Sequence, residues 1–409
     1  MVFGVAFSSF QDMVLRVVDA PVRATYLDVF DLNGKLATTL TCGYFEMSSY
    51  EELAEGVPAP PTTKRLLQFK VVSGDVSLLT VDTDNHGATF QVASQFNCLE
   101  TTDWSHNPYE LGVSGYAFDY TQGPTAAICV GGGTLLRQYF LDTKNGPRCR
   151  PHPLQNPLRE AGHRNVQLNG FSAMQAHLTG LGFGDVLVQN GYLIVQTVHT
   201  LRSIDSHFRT LGTGPRTDFM RLLRVGVLTN AAPTSLQRGQ TLIKADHVVN
   251  QVYCASVPIS YQNLPKDAWK ELATLITQSA FDCTLRAAAR NAGAHPDRVG
   301  AKKVFLTLIG NGAFDVPEEW VHEALRESLR ESLIYLVSFF LSSSRYLRFL
   351  LFFCSLLHRT RVFLPFPCRF QSDSGAHLHF DLDVKLVMYR SSLSQNQHLE
   401  ATILEGLSS

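Results

Sequence analysis

An α/β fold, a sheet layered between helices on both faces, is what this chain predicts, and three observations carry the prediction. Short apolar runs of strand character alternate with helical stretches along most of its length. One long amphipathic helix, "PKDAWKELATLITQSAFDCTLRAAARNAG", has proline near its start, glycine at its end, and Leu272, Leu275, Ile276, Ala280 and Cys283 on one face. Glycine-framed loops stand where strands give way to helices, as in "KKVFLTLIGNGAFDVPEEWVHEAL".

Taken in order, residues 1–56 mix apolar and polar runs without a clear period, and the Pro-rich "GVPAPPTTK" reads as a linker. "RLLQFKVVSGDV" is strand-like and ends at a turn; "NHGATFQVASQFN" is a second strand between turn-forming residues. "TQGPTAAICVGGGTLLRQYF" has two readings. Gly123-Pro124 puts proline in the first turn of a single helix, the reading the short apolar run favours. Alternatively "AAICV" is a strand and "GGG" a loop, since each glycine inside a helix costs about 1 kcal/mol against alanine.

"CRPHPLQNPLREAGHRN" is a loop insertion, "SAMQAHLTGLG" a helix stopped by glycine, and "DVLVQNGYLIVQT" a hairpin turning on Asn190-Gly191. Helical stretches follow near 200–211 and 217–223. "LRVGVLTN" and "HVVNQVYCASVPISY" are buried strands, and the long helix and the "KKVFLTLIGNG" strand come next. Residues 333–369 are far more apolar than the rest. Arg345 and Arg348 interrupt them, so no clean run of about 20 apolar residues exists to span a bilayer. A buried or interfacial helix pair and a translated intron rank level here, ahead of a membrane anchor. "DLDVKLVMYRSS" then resumes strand character.

Composition sets limits. At 409 residues, with 45% hydrophobic and 17% charged, the chain is globular and long enough for one large domain or two ordinary ones. A net charge of −1 gives no global basic field for nucleic acid. The eight cysteines form no C-x-x-C pair and several sit inside apolar runs, so they read as reduced core thiols of a cytoplasmic or nuclear protein. The first residues lack the basic region and small-residue cleavage site of a signal peptide, and no membrane association is expected.

A glycine-framed loop between a strand and a helix N-terminus presents free backbone N–H groups and the positive end of a dipole to an anion. Glycine also lets the backbone approach phosphate oxygens with no Cβ in the way. Alone, such a loop is weak evidence for phosphate, because most strand-to-helix glycine turns are structural. Its neighbours add to it. "FKVVSGDVSLL", a strand running into Gly-Asp-Val, resembles the opening of a macrodomain, the ADP-ribose-binding α/β family. "FQVASQFNCLE" resembles that family's next strand and its asparagine loop. "QVYCASVPISY", the long helix and "KKVFLTLIGNGAFDVPEEWVHEAL" are similar to its closing order, with "DLDVKLVMYRS" as the terminal strand. The resemblance covers about 66–330 plus 380–390. The family's first loop asparagine has no counterpart, and its glycine run does not follow directly.

The resemblance implies a three-layer α/β/α mixed sheet with insertions. It divides the chain into an extension and linker at 1–60 and a domain at 61–332 with an insertion over about 141–245. An apolar insertion or gene-model artefact at 333–375 and a terminal strand and tail at 376–409 complete it. It also implies roles. Asp75 would accept the adenine amino hydrogen bond beside the Val76 amide, where the bland reading is a turn aspartate. Asn97 would face the distal ribose, or cap the strand end. Glu100 would orient a water or ribose hydroxyl, or be a solvated acid. Gln122 and Gly123 would form the first diphosphate loop, with Gly131–Gly133 as rivals for it and a plain helix cap as the bland reading. Gly310, Asn311, Gly312 and Ala313 would hold the diphosphate from the other side, with Phe314 on the distal ribose. The implied function is binding of ADP-ribose or a related NAD-derived nucleotide, free or on an ADP-ribosylated protein. Hydrolysis of ADP-ribosyl linkages is its extension, with Asn97 and Glu100 as the catalytic candidates and no cofactor.

Other constellations are weaker. "HLHFDLD" puts His377, His379, Asp381 and Asp383 on one strand face, a conceivable metal site against the more ordinary exposed polar face. Cys149 and His152 have no nearby partner pair. No P-loop, G-x-G-x-x-G or G-x-S-x-G occurs. A rival from another class is a Rossmann-like oxidoreductase domain built on "AICVGGGTLL", which predicts a strand before Gly131. A non-catalytic α/β interaction protein is the third reading.

Overall fold

The computed structural model describes residues 14–18, 24–30, 35–55, 57, 68–101, 104–106, 108, 112–113, 116, 119, 121–142, 150–151, 167–234, 245–342, 382–388 and 393–408. Its strands are β1 (Val14–Val18), β2 (Ala24–Phe30), β3 (Leu36–Ser49), β4 (Gln68–Ser73), β5 (Thr89–Ala93), β6 (Leu141–Asp142), β7 (Arg150–Pro151), β8 (Val186–Gln189), β9 (Tyr192–Val195), β10 (Arg224–Ala231), β11 (Val249–Cys254), β12 (Lys303–Leu306) and β13 (Asp383–Met388). Its helices are α1 (Tyr50–Glu55), α2 (Val76–Val81), α3 (Gln122–Cys129), α4 (Gly131–Leu135), α5 (Ser172–Gly180), α6 (Val198–Thr210), α7 (Thr213–Met220), α8 (Lys270–Ala294), α9 (Glu318–Ser342) and α10 (Leu393–Ser408).

Nine strands form one mixed sheet in the order β1-β2-β3-β10-β11-β5-β12-β13-β4. From β11 to β4 every neighbouring pair is parallel; from β1 to β11 every pair is antiparallel. Alternation along the strands sorts side chains to two faces. Val252, Cys254, Val304, Leu306, Val384 and Leu386 pack under α8 and its neighbours, while Phe90, Val92, Tyr253 and Phe305 pack under α3 and α4. Phe90 and Phe305 stack across the β5–β12 pair with ring centroids 4.5 Å apart. The expected three-layer α/β/α arrangement around a mixed sheet is what the chain adopts.

The N-terminal stretch is part of that sheet. β3 pairs with β10 from Tyr44↔Thr229 to Ser49↔Arg224, so residues before 60 supply three strands to it. β10, inside the stretch read as an insertion, is a strand of the same sheet. The hairpin is as expected: Gln189 pairs with Tyr192, and Asn190 (φ +48°) and Gly191 (φ +84°) both take the left-handed backbone of a two-residue turn.

α8 departs from its amphipathic reading. Every residue from Leu272 to Ala289 is buried. One face lies on the sheet, and α1, α6 and α9 cover the other. Thr277, Ala280 and Thr284 meet the sheet side, while Ser279 bonds Met220 O and Arg286 lies over the Tyr50 ring of α1 on the other.

The segment "TQGPTAAICVGGGTLLRQYF" is helical throughout, as α3, α4 and a further wide turn over Leu136–Phe140. No strand precedes Gly131, which removes the basis of the Rossmann-like reading. The described cysteines 42, 98, 129, 254 and 283 are buried free thiols, and burial pushes Cys129 and Cys254 each up to about 12. No helix among the described residues is long and apolar enough to cross a membrane. Residues 343–381, with the readings placed on them and on His377, His379 and Asp381, lie outside the described residues; so do Cys149 and His152. Asp383 pairs with Lys385 at 2.6 Å, and no metal-holding group of acids, histidines and cysteines occurs among the described residues.

Candidate functional site

The five parallel strands all point to one edge, so the loops leaving β4, β5, β11 and β12 meet there, where open α/β sheets receive ligands. The sheet is split at that edge. β12 pairs with β5 only at Val304↔Thr89 and Phe305↔Phe90, whereas β5 keeps pairing with β11 as far as Ala93↔Cys254. Backbone groups left open on β5 are closed by side chains. Gln122 Oε1 accepts from Ala93 N (2.8 Å) and its Nε2 donates to Gln91 O (3.1 Å). Gln91 Oε1 in turn accepts from Thr307 N at 3.3 Å.

The first turn of α3 is therefore docked into the split. Gly123 is buried there, and a Cβ at its position would overlap the Ala93 carbonyl oxygen. The close approach that this glycine permits is to the sheet. Asp119 Oδ1 takes Thr121 N at 2.7 Å and Thr121 Oγ at 2.5 Å, fixing the entry to the helix.

Asp75 caps α2. Its Oδ1 accepts from Ser77 N (2.9 Å) and Ser77 Oγ (2.7 Å); the residue is half-buried, and its Oδ2 and the Val76 amide have no described partner. The loop after β12 is the other wall. Gly310 takes φ +84°, and a Cβ there would lie 2.7 Å from Ser256 Cβ, so this position needs glycine both for its backbone and for its packing. Gly312 is exposed, has nothing within 4 Å of its would-be Cβ, and does not have positive φ. The loop is closed by Asn311 N to Leu308 O (3.1 Å), Val316 N to Gly310 O (3.0 Å) and Asn311 Nδ2 to Val316 O (3.2 Å). The amides of Gly310, Gly312, Ala313 and Phe314 donate to no group among the described residues. The loop carries no basic side chain, and Lys266 beside it is paired with Asp315 at 2.5 Å. Anion recognition here would fall to backbone N–H groups.

Phe314 is half-buried in an aromatic cluster with Tyr192 and Tyr261, each 5.7 Å away, and those two tyrosines lie 5.6 Å from each other. Ser260 binds the same loop, N–H to Phe314 O (3.1 Å) and Oγ to Ala313 O (2.5 Å). Burial raises the Tyr261 phenol above its ordinary range, and the charge of Asp119 adds to the rise. Sequence reasoning missed Tyr192, Tyr261 and Asp119. Tyr261 and Asp119 had a signal: each lies within a few residues of an element that opens onto this edge.

Asn97 and Glu100 sit lower. Asn97 is 2% exposed; its Nδ2 donates to Gln167 Oε1 (2.9 Å), its Oδ1 accepts from Leu99 N (3.1 Å), and Gly191 lies against it. Glu100 is 1% exposed. Arg137 binds it with two parallel bonds of 3.0 Å, and Ser94 Oγ donates to it at 2.9 Å. Arg137 also bonds Cys98 O and lies 3.7 Å from the Tyr253 ring centroid. Burial pushes the Glu100 carboxyl up, with Arg137 pulling against it. Glu100 is thus a buried, paired acid, not a solvated one.

The rival glycines are placed elsewhere. Gly131–Gly133 are buried in α4 against β3 and β10: a Cβ on Gly132 would lie 3.1 Å from Cys42 Sγ, and one on Gly133 would overlap Leu228. They do not form a diphosphate loop.

Among known proteins, no family model matches this chain and no curated protein does. Two solved structures resemble it. One is poly(ADP-ribose) glycohydrolase from Deinococcus radiodurans in complex with ADP-ribose, 8% identical, with a TM-score of 0.36, covering 89% of this chain and 95% of that one. The other is a point mutant of the same enzyme with ADP-ribose, 9% identical at the same TM-score and coverage. The relation is distant and at the level of fold.

Proposed function

We propose that the carboxyl edge of the parallel strands binds ADP-ribose or a related NAD-derived nucleotide, free or attached to a protein. One observation carries this reading: the Asp75–Val76 turn, the start of α3 docked at the β5–β12 split and the Gly310–Phe314 loop all stand at the carboxyl edge of the parallel strands, with amides that have no described partner. In this reading Asp75 and Val76 take the adenine edge. The amides from Gly310 to Phe314 take the diphosphate, and Phe314, backed by Tyr192 and Tyr261, packs on the distal ribose. Gln122 and Gly123 shape the cradle from beneath through the Ala93 backbone, their contact with the ligand being the open amides of that turn.

Hydrolysis of ADP-ribosyl linkages is the second reading, and its support is that the Ser94–Glu100 loop leaves β5 directly beside the split. It would require Asn97 to release Gln167 or Glu100 to release Arg137 before either could orient a water. Calorimetry with ADP-ribose, NAD and AMP tests the first reading. ADP-ribose should bind with the highest affinity of the three, and no heat with any of them would end the proposal. Turnover of an ADP-ribosylated substrate, absent from an Asn97→Ala variant, would establish the second.

A further inference from the structure

The opposite edge of the sheet, where β5, β11 and β12 begin, gathers another set of chemistry-bearing side chains. His86 precedes β5, His247 precedes β11, and His295 and Arg298 follow α8. The turn at His86 is firmly held. Asn250 Nδ2 and Asn291 Nδ2 each donate to Gly87 O at 2.9 Å, and Gly300 N donates to His86 O at 2.8 Å. Gly87 has φ +83°, and a Cβ there would lie 2.7 Å from Arg298 Cδ, so glycine lets the arginine stem cross the turn. Arg298 Nη1 donates to Asn230 Oδ1 at 2.6 Å, which orients the guanidinium.

No carboxylate answers that charge. Among the described residues Arg298 has no ion-pair partner; Asp82, Asp84, Asp246 and Asp297 are exposed and pair with none of the four groups. Lys303 is bound to Asp84 O (2.8 Å) and Asn85 Oδ1 (3.2 Å). The His86 ring meets His247 edge-on with centroids 6.3 Å apart. His86 Nδ1 accepts from Val248 N (3.3 Å), which leaves its proton on Nε2 as a donor. His247 is 6% exposed; its Nε2–H donates to Thr80 O (3.0 Å), and its buried Nδ1 has no partner. Burial first, then the Arg298 charge, holds both His86 and His295 below the usual imidazole range.

We propose that His86, His247, His295 and Arg298 form a binding site for a small phosphate-class oxyanion, separate from the nucleotide-binding edge. Arg298 supplies fixed charge and free N–H groups, and His86 Nε2–H donates. The buried His247 Nδ1, which has no partner among the described residues, is the acceptor for the proton that a hydrogen phosphate carries. An anion seated here favours the charged forms of His86 and His295, so binding takes up protons and tightens as pH falls.

The test is to follow histidine ring resonances while titrating the full chain with inorganic phosphate, and separately with glycerol phosphate, at pH 6 and pH 8. Saturable shifts of the His86 and His295 signals are expected, tighter at pH 6 by roughly fivefold or more, as expected when an anion is linked to imidazole protonation. Binding of phosphate alone identifies a free-ion site; binding of both identifies a site for the monoester end. Arg298→Gln should abolish the shifts. His86→Gln, which keeps an amide donor and the turn, should weaken binding and flatten its pH dependence if Arg298→Gln does not fold. Linear, unsaturable shifts, or shifts unchanged in either variant, mean an adventitious ion only and overturn the proposal.

Discussion

Two glycine-rich segments of this chain look alike on paper and serve opposite ends. Gly131–Gly133 lie inside a helix and are buried, with Cys42, Leu40 and Leu228 where the Cβ atoms of Gly132 and Gly133 would be. Each costs about 1 kcal/mol of helix propensity, offset by the close approach of α4 to β3 that any side chain would prevent. Gly310 and Gly312 frame an irregular loop at the open edge, with amides that bond nothing described and, at Gly312, empty space where a Cβ would be. What separates a packing glycine from one open to a ligand is therefore what faces the absent Cβ: Ser256 and Val316 face that of Gly310, and only Gly312 is open. Gly123 belongs with the first group although it stands beside the second.

The comparison can be broken by substitution. The largest effect should come from Gly123→Ala, because its new Cβ overlaps a backbone carbonyl on β5 that has no room to retreat. A loss of about 3 kcal/mol, the upper end for overpacking, is expected in denaturant unfolding, and a variant as stable as the parent would remove the docked helix from the account. Asp75→Ala should weaken ADP-ribose binding by one to two orders of magnitude, the equivalent of about 1.5–3 kcal/mol for a hydrogen bond to a charged group. It should also cost about 1 kcal/mol of stability through the lost cap on Ser77. Asp75→Ser keeps a capping oxygen, so its stability should return while its affinity does not. Normal affinity in either well-folded variant would sink the adenine-reading role.

Gly312→Val sharpens the contrast from the other side. The position is exposed and its backbone suits any residue, so unfolding should be unchanged, while affinity for ADP-ribose falls at least about tenfold, or 1.4 kcal/mol. Equal loss for adenosine would move the loop away from the diphosphate. The smallest effect concerns pH. His86, His295 and His322 are all held below the ordinary imidazole range, chiefly by burial, so the native state prefers them neutral. Their contribution is complete above about pH 6.5 and is lost as pH falls through the lowered values. Thermal unfolding scanned from pH 8 to pH 5 should show this decline, and Arg298→Gln should lessen it.

Much of the frame was legible in the sequence. β4, β5, β11, β12 and β13, the Asn190-Gly191 turn and the extent of α8 follow from apolar runs and punctuation. β3 was not legible, because its fourteen residues are covered unevenly and never settle into strict alternation. The surroundings of α8 were hidden for a related reason: its polar Asp282 and Arg286 read as a solvated face, yet both are buried, with Arg286 over the Tyr50 ring of α1. At the candidate site, the Gly310–Phe314 loop stood out through turn chemistry and Asp75 through the resemblance of its strand and turn. The bonding of Gln122 to Gln91 and Ala93, and of Glu100 to Arg137, joins residues about thirty or more positions apart, and local pattern carries no trace of such pairs.

One arrangement bears on how the protein is made. β13 is inserted between β12 and β4, and Val71 N of β4 is capped by Glu400, 329 positions later. During synthesis at about 5–20 residues per second, β4 therefore leaves the ribosome roughly a quarter of a minute to a minute before the strand that pairs with it. Through that interval Phe69 and Val71 have no neighbouring strand to pair with. Completion of the sheet thus waits for β13, however early its first strand emerges.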